Sequence, residues 1–326
     1  MKTTLLQAAV ALMAIIGLVA CDHKDLCYDH PHTKRLQVRF DWSEAADATP
    51  EGMCVYFYPA DDTGGARRFD ISGRMGAEID LAVGRYRVLC YNNDTEAVLT
   101  DGIEGYFTHH AYTREGDLLE SIYGSATTGG RNVPRAAEAA DERVVISPDM
   151  MWGCSEGEIE VTDTPEGETQ IITLTPHSLV HAYNFKLTNV KNLSHVSRVC
   201  ASLSGMAGGL NLSTGTVDTE CVTIPFAVKA DGESALTGTF YAFGCDAANI
   251  RSHHLSLYVV MDDGKKYVYG TTGQHFNVTN ALHSAADGLN VNFTVDGLDL
   301  PQPITDAGGM KPSVDDWVEV DEEIGI

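Results

Sequence analysis

Residues 36–42 read LQVRFDW, an unbroken alternation of apolar and polar side chains. The apolar residues share one face of an extended chain: Leu36, Val38, Phe40 and Trp42. Strict alternation over a run of this length is typical of a strand with one face in a core and the other in water. The stretch therefore predicts a half-buried β-strand.

Short apolar runs recur along both halves of the chain, separated by turns rich in Gly, Asp and Pro. They predict further strands at residues 53–59, 66–71, 84–92, 144–146, 158–161, 170–175, 179–188, 196–203, 221–228, 236–243, 255–261, 265–269 and 289–295. We expect a glycine-rich connection at 204–209 and a hairpin turn at 262–264, where Asp-Gly favours positive φ. No segment has sustained helical periodicity, so the predicted fold class is all-β, a sandwich or a barrel.

The turn around residues 163–167 is the best candidate for a domain boundary. The chain has 326 residues, which is long for one hydrophobic core and suits two domains of ordinary size. We therefore predict an N-terminal β-sandwich over residues 35–165 and a C-terminal one over residues 166–298.

An acidic tail follows at residues 299–326. Near its end it carries a small group of apolar side chains: Trp317, Val318, Val320 and Ile324. Two interpretations remain open at this point. Frayed termini are common, but an apolar segment can also add as a strand to an exposed sheet edge, which makes these four residues a candidate strand-exchange tail.

Residues 1–20 have the layout of an export signal, with Lys2 ahead of an almost unbroken apolar run. That run is shorter than the roughly 20 residues needed to span a bilayer, which disfavours a transmembrane helix. The sequence LVAC at residues 18–21 resembles the bacterial lipobox. This resemblance implies cleavage between Ala20 and Cys21, acylation of Cys21, and a tether over residues 21–34.

The charge balance limits the partners of the protein. The chain has 46 acidic and 22 basic residues, a net charge of −24 at pH 7. A surface this acidic argues against nucleic acid or an anionic membrane surface as a partner, because both are negatively charged.

The number and positions of the eight cysteines do not indicate a disulfide framework. If Cys21 is acylated, seven remain, and an odd number cannot all pair within one chain. Several lie in strand-like apolar runs, where a thiol behaves as a small buried hydrophobe. We therefore expect mostly free thiols.

No catalytic or metal site is predicted. Residues 153–157 (GCSEG) match the G-x-S-x-G elbow, but that motif needs a helix after the serine, and here a strand is expected. The histidine pairs at 109–110 and 253–254 have no nucleophile in a recognisable arrangement. The group His23, Cys27, His30 and His32 lacks a second cluster that would close a four-ligand site. We predict a protein that is not an enzyme and has no cofactor, with a hydrolase as an unsupported alternative.

Several longer strings allow a family comparison. The segment CDHKDLCYDHPHTKRLQVRFDW (21–42), MWG (151–153), LTPHSLVHAYNFKLTNVKNL (174–193) and LSGMAGG (203–209) resemble Bacteroides-type fimbrillin-like lipoproteins. Within that group the chain is similar to a branch of unassigned function, itself similar to the anchor and minor subunits of Bacteroidales fimbriae.

The resemblance implies two tandem transthyretin-like, Greek-key β-sandwich domains. It also implies outer-membrane attachment at the cell surface through acyl chains such as palmitate on Cys21, and assembly with fimbrial subunits by β-strand exchange. An anchor or accessory role in adhesion is favoured over a stalk role, because no obvious trypsin-like maturation site follows the first strand, although Arg35 and Arg39 are candidate positions for one. The alternative function is a glycan-binding surface lipoprotein, for which Tyr106, Phe107 and Tyr112 are the candidate aromatic contacts.

Overall fold

A computed structural model describes residues 33–123, 133–163, 165, 168–245, 251–272, 276–302 and 317–320. The described residues confirm the all-β prediction. The strands in chain order are β1 (Thr33–Phe40), β2 (Gly52–Pro59), β3 (Arg67–Ser72), β4 (Gly76–Ala82), β5 (Gly84–Asn92), β6 (Val98–Asp101), β7 (His110–Thr113), β8 (Arg143–Val144), β9 (Trp152–Val161), β10 (Gln170–Leu174), β11 (His177–Ser178), β12 (His181–Lys191), β13 (Val196–Ala207), β14 (Gly209–Asn211), β15 (Cys221–Ala227), β16 (Lys229–Ala230), β17 (Leu236–Ala242), β18 (Leu255–Met261), β19 (Lys266–Tyr269), β20 (Asn290–Asp299) and β21 (Val318–Val320).

Helix is a minor component of the described chain. It comprises α1 (Glu120–Tyr123), α2 (Thr279–His283) and 3₁₀ turns at Tyr106–Thr108, Ala137–Ala139 and Leu193–His195. Within the part of the chain that the structure describes, no helix has the length and apolarity to cross a membrane.

The first sandwich packs a three-stranded sheet, in the order β10-β1-β4, on a five-stranded sheet, in the order β11-β9-β5-β2-β3. The predicted alternation of β1 is confirmed, since Leu36, Val38 and Phe40 are all buried in the shared core. The opposite sheet contributes Val55 and Phe57, among others, from β2. Apolar residues at every second position thus hold the two layers together.

The second sandwich packs a four-stranded sheet, β16-β17-β12-β20, on a six-stranded sheet, β21-β19-β18-β13-β15-β8. Aromatic side chains from both sheets fill its core. Phe226 and Phe240 stack with their ring centroids 4.5 Å apart, and Phe185 lies 5.7 Å from Phe293 of β20. Phe293 is only 2% exposed, so β20 is part of the core.

A third apolar cluster joins the two sandwiches. The outer face of β2 and β5 supplies Tyr56, Tyr58 and Tyr91, and the second half of the chain supplies Leu210 and Phe243, among others. A small sheet in the order β14-β7-β6 lies in this region, so one strand from the second half pairs with a hairpin from the first.

The strand pairing crosses the predicted domain boundary at residue 165. Strand β10, which the sequence analysis assigned to the C-terminal domain, pairs in parallel with β1, and its Ile172 and Leu174 lie in the core of the first sandwich. Strand β8, from the first half, pairs with β15 of the second sandwich. A turn signal locates the end of a strand, but it does not say which sheet the next strand joins.

Within the glycine-rich segment at 204–209, where a connection was predicted, only Gly208 lies outside a strand. Strand β13 continues to Ala207, with a register shift between Leu203 and Met206. Gly205 has φ of +79°, a conformation that side chains disfavour, and this allows the bulge. Buried Met206 and Ala207 keep the strand in the sheet. Strands β4, β6 and β7 were also not predicted.

The four buried cysteines of the described ranges, Cys54, Cys90, Cys154 and Cys200, form no disulfide. The Sγ atoms of Cys90 and Cys154 lie 3.3 Å apart across β5 and β9, both buried. Burial raises the pKa of Cys54 and of Cys200 to about 12. These thiols therefore stay protonated and unreactive at neutral pH.

Candidate assembly edge

Three of the predicted tail residues, Trp317, Val318 and Val320, lie at the edge of the six-stranded sheet. Strand β21 pairs in parallel with β19, with Val318 opposite Tyr267 and Val320 opposite Tyr269. The chain therefore adds its own tail as an edge strand of its own sheet. Exchange of this strand with another subunit stays a prediction. Ile324 lies outside the described residues.

The sheet edge exists because β18 and β19 form the predicted hairpin. Its turn at 262–264 closes with the Gly264 N–H donating to the Met261 carbonyl at 2.9 Å, and Gly264 has φ of +84°. Strand β19 pairs with β18 on one side only, so its other side offers backbone groups to any strand that can reach it. In this chain the three residues of β21 take that position.

Trp317 and Val320 attach β21 through opposite faces of the sheet. The Trp317 ring meets Tyr258 edge to face, with the centroids 5.7 Å apart. Val320 is half-buried against the inner core of the second sandwich. Val318 is 44% exposed and contributes little packing. Two side chains and three backbone positions thus hold the strand.

Tyr258 provides a rigid surface for Trp317. It is fully buried, and its hydroxyl donates to the Pro134 carbonyl at 3.2 Å. A cluster of buried side chains surrounds it on the outer face of the sheet: Leu118, Leu119, Val133, Cys200 and Val268. The sequence pattern identifies Trp317 but not Tyr258, because nothing in the strand pattern of β18 distinguishes Tyr258 from other core residues.

The three candidate glycan contacts do not form one exposed surface. Phe107 is 61% exposed, with the Arg87 guanidinium 5.2 Å from the centre of its ring. Tyr106 is buried, and its hydroxyl donates to the Glu156 carbonyl at 3.2 Å. Tyr112 is half-buried and stacks on His110. Of the three, Phe107 is the one with an open ring.

His109 lies at the centre of the cluster between the two sandwiches. The Tyr58 hydroxyl donates its proton to the Ile103 carbonyl. In the 2.7 Å contact between Tyr58 Oη and His109 Nδ1, it is therefore Nδ1 that carries the proton and donates to the hydroxyl oxygen. The Tyr91 hydroxyl faces Nε2 at 3.1 Å. Burial lowers the pKa of His109 to about 4, so the ring is neutral at physiological pH.

The GCSEG segment and His110, which the sequence offered as catalytic candidates, lie in strands and make hydrogen bonds within the fold. The GCSEG segment lies inside β9, and Ser155 Oγ donates to the Ser213 carbonyl at 3.0 Å, so the serine is not on the turn that a nucleophile elbow requires. His110 contacts Asp218 at 2.9 Å, which raises the pKa of that imidazole. Ala20, Cys21 and the histidine and cysteine residues at 23–32 lie outside the described residues.

Fold and edge together define a class: an all-β protein with two packed sandwich-like cores and a short terminal strand on one sheet edge. The chain belongs to the family described as domain of unknown function DUF5119, whose model matches residues 20–227.

Two proteins of Bacteroides ovatus are similar to the chain. One, named "Putative fimbrium anchoring subunit Fim4B", is 29% identical over 247 residues, which cover 74% of this chain and 66% of that protein, just under two thirds of its length. The other, described as a "putative adhesin", has a crystal structure that is similar to this one. It is 22% identical in sequence, and the two structures match with a TM-score of 0.59 over 94% of this chain and 99% of that one.

The fimbrial anchor protein Mfa2 of Porphyromonas gingivalis is also similar in structure, at 14% identity and a TM-score of 0.49 over 81% of this chain and 90% of that one. The resemblance to the fimbrillin-like family stated from the sequence is confirmed by the family match and the curated relative. The comparison of folds rests on the Bacteroides ovatus crystal structure.

Proposed function

We propose that the protein is a non-catalytic surface lipoprotein that acts as an anchor or accessory subunit of a fimbria. In this proposal acyl chains on Cys21 hold it in the outer membrane, and the tail around β21 is the strand it exchanges with another subunit. The observation that carries the proposal is the three-residue strand β21, which occupies a sheet edge with very little packing of its own.

Strand exchange has a clear physical basis at this edge. A partner groove that lacks a strand offers unpaired backbone groups and an apolar floor, and a donated strand satisfies both. Trp317 and Val320 point to opposite faces of the sheet, so a longer pairing elsewhere could use both side chains. Since β21 gains little in its own chain, a better-fitting groove would compete well for it.

The finer fold assignment belongs to the same proposal. We propose that the two cores are tandem transthyretin-like domains, with the chain passing from the first to the second between β11 and β12. Support comes from the two separate core clusters, one for each pair of sheets. The name of the curated relative supports the fimbrial role.

The decisive experiment is a pull-down of the acylated full chain from outer membranes, compared with a chain that ends after residue 302. We expect fimbrial subunits to be recovered with the full chain and lost with the shortened one, because only the latter lacks Trp317 to Val320. Met75→Ala, an exposed apolar residue far along the sequence from the tail, is the matched control and should recover the same subunits.

Two results would contradict the tail as the exchanged strand. Equal recovery with the full and the shortened chain would mean that the tail has no role in assembly. Higher recovery with the shortened chain would make β19 an accepting edge instead. Lipidation is tested separately by labelling with a palmitate analogue. Cys21→Ser should lose the label and leave the membrane fraction, whereas Cys27→Ser should retain both.

A second candidate function, glycan binding, is favoured by the open ring of Phe107. An exposed aromatic face with a neighbouring guanidinium suits the apolar face and hydroxyl groups of a sugar. A glycan array should then show binding that Phe107→Ala abolishes and Met75→Ala retains. An array without hits for the full chain would remove this candidate.

A further inference from the structure

A cysteine and two histidines that are far apart in the sequence meet at one end of the second sandwich. Cys245 lies three residues after β17, His253 two residues before β18, and His283 is the last residue of α2. One ligand-type atom from each, a sulfur and two ring nitrogens, lies within 4.8 Å of the other two. The fold thus gathers a thiol and two imidazoles from three separate elements.

His253 is oriented towards this group from within the protein. Its side chain is fully buried, and Nδ1 lies 3.1 Å from the Ser204 carbonyl, which can only accept a hydrogen bond. Nδ1 must therefore carry the proton, and Nε2 of the neutral ring presents its lone pair. Fixing one ring nitrogen on a backbone carbonyl is the usual support of a metal-binding histidine.

The surroundings of His253 hold that orientation. Its backbone N–H donates to Thr279 Oγ1 at 2.7 Å, and its carbonyl accepts from Val278, which ties it to the beginning of α2. A Cβ at Gly205 would lie 2.7 Å from the ring, so glycine makes room for the imidazole there. The adjacent His254 instead contacts Glu138 at 2.8 Å.

Nε2 of His253 faces Nε2 of His283 at 3.1 Å, with the two rings at 78°. Donor nitrogens on one tetrahedral zinc ion, each at about 2.0–2.1 Å from the metal, are separated by roughly 3.3 Å. Sulfur and nitrogen ligands are the set that zinc prefers in proteins. His283 is exposed, so an ion and a water ligand can reach the group from solvent.

We propose that Cys245, His253 and His283 bind one zinc ion, with water as the fourth ligand. Cys245 binds as the thiolate and releases its proton to solvent, while both imidazoles bind through Nε2. The ion would join the end of β17, the beginning of β18 and α2. This inference does not depend on the proposed fimbrial function.

The test uses the full chain purified in detergent, stripped with a chelator and titrated with zinc or with cobalt. We expect one zinc ion per chain, proton release on binding, and a thiolate-to-cobalt charge-transfer band. Cys245→Ser should abolish the band, and His283→Ala, at an exposed position that should tolerate the change, should weaken zinc binding about tenfold or more. The melting temperature of the unaltered chain should rise with zinc concentration, and that of Cys245→Ser should rise less.

Matched controls separate this site from other thiols and histidines. Cys221→Ser and His177→Ala should bind zinc like the unaltered chain. The triple variant His23→Ala, His30→Ala and His32→Ala tests the N-terminal group and should also retain binding. Failure of the unaltered chain to retain zinc, full retention by Cys245→Ser and His283→Ala, or loss in the triple variant would each overturn the proposal.

Discussion

Strands β20 and β21 both join a sheet edge in parallel, yet they differ in how they are held. Strand β20 has ten residues and lies beside β12, with Val291, Phe293 and Val295 buried in the core. Strand β21 has three residues, and its Val318 is exposed. The same backbone pairing thus produces a permanent part of the sandwich in one case and a weakly held strand in the other.

The difference between β20 and β21 can be tested first at β20, the strand that is buried in the core. Phe293→Ala removes a side chain that is 2% exposed and lies against Phe185, so it leaves a cavity between the two sheets. We expect the free energy of unfolding to fall by about 3–5 kcal/mol, measured by urea denaturation.

Phe107→Ala is the matched control for this prediction, because it removes the same ring from an exposed position. Its effect should stay within about 0.5 kcal/mol. If the two variants had equal stability, β20 would not be the closing strand of the core.

The sequence predicted β20 and the apolar residues of β21. It did not predict that β20 pairs with β12 or that β21 pairs with β19. Alternation is local, so residues 289–295 and 36–42 predicted strands correctly. Pairing joins residues far apart, such as Val320 with Tyr269 or β10 with β1, and no local pattern records it. The group of Cys245, His253 and His283 was missed for the same reason, since its spacing matches no zinc motif.

Acid should destabilise the protein through His109, away from both strands. Burial keeps its pKa at about 4 in the folded chain, against about 6.5 in the unfolded chain, so only the unfolded chain takes up this proton between those values. Stability should therefore be complete above about pH 6.5 and fall by about 1–3 kcal/mol towards pH 4.

The check compares the pH dependence of urea unfolding in the unaltered chain and in His109→Asn. The decrease in unfolding free energy between pH 6.5 and pH 4 should be smaller in the variant. An equal decrease in both proteins would mean that His109 is not its cause. The same acid loss should occur in a chain that ends after residue 302, because His109 and β21 lie in different clusters. A different acid loss in the shortened chain would mean that the tail affects the contact between the two sandwiches.

Removing residues 303–326 tests the weakly held strand directly. The loss of the Trp317 contact and of three edge positions should cost about 1–2 kcal/mol, far less than Phe293→Ala. The effect should be local, so the amides of Tyr267 to Tyr269 should exchange hydrogen about 5–30-fold faster, while those of β20 keep their protection. Equal acceleration in both strands would mean that β21 supports the whole core.

The smallest expected effect belongs to the single contact between Trp317 and Tyr258. An aromatic pair of this edge-to-face geometry is worth about 0.5–1.5 kcal/mol, and Trp317 is only half-buried, so Trp317→Ala should cost an amount near the lower end. Trp317→Phe keeps a ring against Tyr258 and should recover most of the loss, which distinguishes the ring contact from a general effect of shortening the side chain. Tyr258→Phe keeps the ring and removes only the hydroxyl, which donates to the Pro134 carbonyl and lies 3.4 Å from Ser202 Oγ. It should therefore cost about 1 kcal/mol both in the full chain and in the chain that ends after residue 302. If Trp317→Ala instead matched the whole effect of removing the tail, the indole would hold β21 almost alone, and the backbone pairing with β19 would be a consequence of that contact.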